Sequence, residues 1–153
     1  MPRTFRSEDI PMPTVTRDQI VTTARNYLGC PWMHHGRNRN GIDCVGLLVC
    51  VCHDLGLPVE DMKGYSAVPT GFGFMNHFLK QAPINKTRLL LPGSIAMIRG
   101  AERAAHCGIF AEKDGRKSLI HSSNQTMQVE EVFWEPGPRS QLVFVLDFPG
   151  VLD

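Results

Sequence analysis

Apolar positions recur at helical spacing in the first third of the chain and switch to strand-like runs in its second half. Thr16-Arg17-Asp18-Gln19 has the form of a capping box, and Ile20, Ala24, Tyr27 and Leu28 repeat on one face behind it. Gly29 and Pro31 end that helix. Residues 30–42 hold Gly, Asn and basic or imidazole side chains and read as a polar loop. A second helix is predicted from Cys44 to about Leu55, with Asp43 as N-cap and Gly56 and Pro58 as stop. It is apolar on nearly every side, which is the pattern of a central, buried helix. Residues 57–71 read as loop, and a short amphipathic helix is expected from Phe74 to Gln81, before Pro83.

Five strand-like runs follow: Ser94 to Ile98, Ala105 to Ala111, Lys117 to Ser122, Gln128 to Trp134 and Gln141 to Asp147. Helices followed by strands predict an α+β domain, its central buried helix packed on a largely antiparallel sheet of about five strands. No internal repeat is visible. Residues 1–15, with Pro2, Pro11 and Pro13, read as an extended N-terminal arm, and residues 16–153 as one domain.

Composition narrows the function classes. The 153 residues carry 16 Lys+Arg and 15 Asp+Glu, a formal charge of +1, so no broad basic field is available to hold nucleic acid. No apolar run reaches the length of a membrane span. Nothing hydrophobic follows the first arginines, so no secretory signal is expected. The cysteines are Cys30, Cys44, Cys50, Cys52 and Cys107, an odd number that reads as free thiols. Cys50 and Cys52 lack a CxxC or HxxxH partner and diverge around a helix, so neither zinc nor another cofactor is expected.

The stretch Gly41-Ile42-Asp43-Cys44-Val45-Gly46 carries the chemistry. If Asp43 caps the helix, Cys44 lies in its first turn, where free N–H groups and the positive dipole end favour a thiolate. The same N–H groups suit an oxyanion. Gly46 leaves room for a close backbone or substrate approach. A cysteine in an apolar helix is more often a core residue, the reading that fits Cys50 and Cys52. Cys44 differs in standing where polar loop meets buried helix.

A cysteine nucleophile needs a base. The segment from Ala105 to His121 reads as a β-hairpin with Asp114-Gly115 at its tip. Lys113 then pairs with Arg116, and counting back places His106 opposite Ser123 and Gly108 opposite His121. The two histidines become diagonal neighbours about 7–8 Å apart at Cα. Gly108 would leave space for the His121 ring. This geometry fits a relay in which His106 takes the Cys44 proton and His121 orients His106. Two surface histidines on a hairpin are the alternative.

Taken in order, these motifs resemble the NlpC/P60 family of papain-like cysteine peptidases, from the Thr16 helix to the strand near Phe148. The resemblance rests on Asp43-Cys44-Val45-Gly46, the entry Leu91-Pro92-Gly93-Ser94-Ile95-Ala96-Met97-Ile98, His106-Cys107-Gly108-Ile109-Phe110, and Leu119-Ile120-His121-Ser122-Ser123. It implies a papain-like fold and a Cys44–His106–His121 triad. It also implies hydrolysis of peptidoglycan stem peptides at the bond from D-glutamate to diaminopimelate or lysine, and it places Trp32, Asp43 and Val45 at the substrate. Two departures stand out. Val45 replaces the usual Ser, and Pro31-Trp32 replaces a Pro-Tyr pair, so Trp32 could wall the site without a phenolic hydroxyl. His34, His35, Arg37 and Arg39 read first as a solvated loop and second as contacts for an acidic stem peptide. The short chain without an export signal resembles the phage-tail subgroup. That implies synthesis in the bacterial cytoplasm, action at the cell wall within a tail, and tail proteins as partners. Two alternatives stay open: an inactive structural tail component, and an acyltransferase using the same thiolate.

Overall fold

The computed structural model describes residues 13–67, 89–100 and 105–152. Along the chain run β1 (Val15–Thr16), α1 (Arg17–Arg25), β2 (Arg37–Asn38), β3 (Gly41–Ile42), α2 (Cys44–Asp54), β4 (Ile95–Arg99), β5 (Ala105–Lys113), β6 (Arg116–Ser123), β7 (Gln128–Phe133), β8 (Gln141–Leu146) and β9 (Val151–Leu152). Strands β4 to β8 form one antiparallel sheet in the order β7-β6-β5-β4-β8. With the two helices found among the described residues beside it, this is an α+β fold. The expected helix from Phe74 to Gln81 and the first part of the expected N-terminal arm lie outside the described residues.

α1 starts where its capping box closes: the Thr16 hydroxyl accepts from the Gln19 N–H at 3.1 Å, and the Gln19 side chain accepts from the Thr16 N–H at 2.9 Å. Its buried face is Ile20, Val21, Ala24 and Tyr27. Leu28, expected there, is 43% exposed because the helix ends at Arg25 and the chain turns away. Val15 also departs from expectation. It pairs in parallel with Val151 and is buried, so the arm gives way to folded structure before residue 16.

α2 buries every residue from Cys44 to Cys52 and lies against β5 and β6. Each fully buried Val or Leu there contributes about 1.5–3 kcal/mol, so helix and sheet hold each other in place. Gly46 sits where α2 crosses the loop before it, and a Cβ there would overlap the Gly36 carbonyl oxygen. The close approach read from sequence is thus made by backbone. Gly46→Ala is expected to cost about 1–3 kcal/mol, read as a lowered urea midpoint at unchanged m-value.

The β5–β6 hairpin turns as its sequence predicts. Asp114 (φ 52°) and Gly115 (φ 74°) are both left-handed, the condition for a two-residue turn that follows strand twist. Its ladder runs from Lys113 opposite Arg116 to Ile109 opposite Ile120.

Candidate active site

The hairpin register brings His106 and His121 together. His106 Nε2 lies 2.7 Å from His121 Nδ1, with the rings nearly perpendicular. Along each strand the next residue clamps the start of α2. Cys107 donates its thiol hydrogen to the Cys44 carbonyl at 3.3 Å, and Ser122 donates to the Ile42 carbonyl at 2.6 Å. Cys44 occupies the first position of α2, where its N–H has no intrahelical acceptor, and His106 is close enough to its thiol to favour the thiolate. All three residues of the sequence-read relay therefore meet. Gly108 contributes differently from expectation: a Cβ there would crowd the Leu119 side chain and the Ile120 carbonyl, so its lack of one serves Leu119 rather than the His121 ring.

The thiol of Cys44 is lowered to about 5. Cys107 beside it, then the hydrogen bond and charge of His106, outweigh burial and the Asp43 carboxylate, which push the other way. Cys107 has a single thiol hydrogen, which in the resting geometry is on the Cys44 carbonyl. His106 acts on the Cys44 sulfur without that hydrogen.

A fourth residue joins the row. Glu130 Oε1 stands 2.9 Å from His121 Nε2, directly across the β6–β7 ladder, and its other oxygen accepts from the Thr126 hydroxyl at 3.0 Å. Burial, reinforced by the nearby His106, lowers His121 to about 4, so it is neutral at neutral pH. These facts assign the protons. His121 keeps its hydrogen on Nε2, facing the carboxylate, so its Nδ1 accepts from His106 Nε2–H. His106 Nδ1 is then left for Cys44.

Of the three positions expected at the substrate, Val45 is 1% exposed and packs in the core. Asp43 is also turned inward, 3% exposed. It accepts from the Gly46 N–H at 2.8 Å, Arg37 Nη1 at 3.0 Å, the His35 N–H at 2.8 Å and the Tyr65 hydroxyl. Four donors fill a carboxylate's acceptor positions, so Asp43 holds the loop to the helix and leaves no oxygen for a ligand. Burial and that hydrogen bond keep the Tyr65 phenol protonated, well above its usual range. Trp32 keeps exposed surface, its ring stacked at 6.5 Å on His34, and its backbone N–H donates to the Met127 carbonyl.

The loop of residues 30–42 is neither free nor purely solvated. Both His34 and His35 place Nε2 3.0 Å from the Tyr65 carbonyl, Arg37 pairs with Asp61 as well as Asp43, and Arg39 lies over the Tyr27 ring. Among the described residues, no group of three His, Cys, Asp or Glu is arranged to hold a metal ion.

Solved structures share this arrangement of elements. The NlpC/p60 domain of peptidoglycan hydrolase SagA aligns with a TM-score of 0.57 at 18% identity, over 88% of this chain and 100% of that one. An NlpC/P60 family protein from Bacillus cereus ATCC 10987 aligns with a TM-score of 0.59 at 19% identity, over 94% of this chain and 43% of that one. An N-acetylmuramoyl-L-alanine amidase from Bacteroides uniformis ATCC 8492 aligns with a TM-score of 0.61 at 14% identity, over 86% of this chain and 98% of that one. The chain thus spans less than half of the Bacillus cereus protein. No family sequence model and no curated sequence matches the chain.

Proposed function

From the NlpC/P60 fold that this chain has, and from the side chains gathered at the start of α2, we propose that it is a cysteine peptidase acting on peptidoglycan stem peptides. The bond we assign to it joins D-glutamate to diaminopimelate or lysine. The observation that carries this reading is the row Cys44–His106–His121–Glu130, in which every proton has one place. His106 stands next to the Cys44 thiol and favours its thiolate, and the two spacings beyond it are 2.7 and 2.9 Å.

The steps follow from that row. The Cys44 thiolate attacks the scissile carbonyl carbon, and the N–H of Cys44 in the first helical turn meets the developing oxyanion. His106, charged by the proton it took from Cys44, gives that proton from Nδ1 to the leaving amine. Water then attacks the thioester, with His106 as base. His121 accepts from His106 Nε2–H throughout, which keeps the ring aimed at sulfur. The fold's solved neighbours include a peptidoglycan hydrolase and an N-acetylmuramoyl-L-alanine amidase, which supports the choice of wall peptide as substrate.

The test is digestion of defined muropeptides with product masses read. Two fragments separated at the D-glutamyl bond are expected. Intact substrate, or cleavage between muramic acid and L-alanine alone, would overturn the assignment.

Glu130 gives a second check. A carboxylate that fixes the tautomer of the orienting histidine is expected to contribute about 10- to 100-fold, the scale seen for outer partners of metal-bound histidines. Glu130→Ala should lower kcat by that amount at unchanged KM. Glu130→Gln, which keeps an acceptor oxygen, should lose less. Full activity in Glu130→Ala would mean that the His121 tautomer is set elsewhere.

A further inference from the structure

Cys107 follows His106 directly on β5, is 1% exposed, and has its sulfur 3.3 Å from the Cys44 carbonyl, under the first turn of α2. The peptidase mechanism gives this thiol no step. The Cys44 thiol is also close enough to act on the ionisation of Cys107. The other cysteines are engaged or placed differently. Cys50 donates to the Arg37 carbonyl at 3.1 Å, Cys52 is buried on a later turn of α2, and Cys30 lies in the segment after α1.

We propose that Cys44 and Cys107 are a redox pair, in which a hydroperoxide oxidises the Cys44 sulfur and Cys107 closes a reversible disulfide onto it. The proposal rests on the reading of Cys44 as an ionised nucleophile. In the first step the Cys44 thiolate attacks the peroxide, the O–O bond breaks, and sulfur loses two electrons to become a sulfenic acid while an alcohol or water leaves. In the second step the Cys107 sulfur attacks Cys44 sulfur, the S–O bond breaks, and the Cys107 proton leaves with the hydroxide as water. A dithiol reverses the product to two thiols.

The arrangement divides the roles. The facing Cys44, then burial, hold the Cys107 thiol well above its usual range, so it is a poor target for peroxide until oxidation of Cys44 to an uncharged sulfenic acid removes the facing negative charge. Cys44, lowered to about 5, is the sulfur that reacts first. Proximity then lets Cys107 intercept the sulfenic acid before a second peroxide carries it to the irreversible sulfinic acid. The enzyme would lose its nucleophile under oxidant and regain it afterwards.

The test uses the whole protein with stoichiometric hydrogen peroxide, alkylation of remaining thiols, and trypsin digestion without reduction. Peptide 40–63, which carries Cys44, Cys50 and Cys52, should be joined to peptide 104–113, which carries Cys107. Fragmentation should place the link on Cys44, with two hydrogens lost and both thiols restored by dithiothreitol. Two added oxygens on Cys44 with Cys107 still alkylated would overturn the proposal, as would a link from Cys44 to any other cysteine. Cys107→Ser and Cys107→Ala, each checked for folding by circular dichroism, should instead accumulate the two-oxygen form that dithiothreitol cannot reverse. Recovery of the Cys44 thiol in both variants equal to wild type would also overturn it. Because the link is read by mass, it is independent of turnover. A reduced protein that forms the link yet releases no wall fragments would overturn the peptidase reading alone.

Discussion

Alanine at position 44 is expected to lower release of wall-peptide fragments by at least about 10,000-fold, the scale on which removal of a nucleophile acts when the base and oxyanion donors remain. The fold should persist. The bond from Cys107 goes to the Cys44 backbone carbonyl, which the substitution leaves in place, and Asp43 still caps α2 through the Gly46 N–H. Denaturant midpoints within about 1 kcal/mol of wild type would show that the loss is chemical. In the wild-type protein the sulfur is a thiolate above about 5 and a thiol below it. Alkylation by iodoacetamide should therefore stay fast from neutral pH down to that point and fall as the pH drops through it. Burial raises Cys52 to about 12 and lifts Cys50 as well, so these two should label slowly across the range. A Cys44 that reacts only above pH 8 would mean that its ionisation is not assisted.

The parts of this site legible in the sequence are those set by local rules. Asp114-Gly115 dictates its own turn, the turn dictates the β5–β6 register as far as Ile109 opposite Ile120, and the strands continuing from that pair bring His106 beside His121. Asp43 as N-cap and Cys44 in the first turn follow in the same way from side-chain oxygen and helix geometry. Glu130 was hidden because the β6–β7 turn ends in Met127 at φ 61°, a conformation that methionine does not signal. Without that turn the pairing of His121 with Glu130 has no fixed count, although a carboxylate at an alternating position of a neighbouring strand was the available cue. The loop of residues 30–42 was illegible for a different reason. Its order comes from Arg37 and Asp43 meeting Tyr65 and Asp61, more than 15 residues along the chain, and no local pattern encodes those contacts. Cys107 reads as an ordinary strand residue until α2 is laid on the sheet and sets the Cys44 carbonyl beside its sulfur.

His106→Ala should be nearly as damaging as Cys44→Ala, by about 1,000- to 10,000-fold in kcat/KM, because the histidine acts twice. It holds the thiolate in the resting enzyme and delivers the proton without which the amine cannot leave. The two losses should not add. Once the sulfur is gone there is no proton for His106 to take, so the Cys44→Ala, His106→Ala double variant should be no slower than Cys44→Ala alone. A second readout separates positioning from chemistry. Without the imidazole, one of the causes that depress the Cys44 thiol disappears while burial and the Asp43 charge continue to raise it, so the midpoint of alkylation should move upward and labelling at pH 6 should slow. His121→Ala leaves His106 next to the sulfur but free to turn, and should cost less in labelling than in turnover. If the double variant were instead slower than either single one by the product of their losses, the cysteine and the histidine would be working in separate events and the shared proton would be lost from the mechanism.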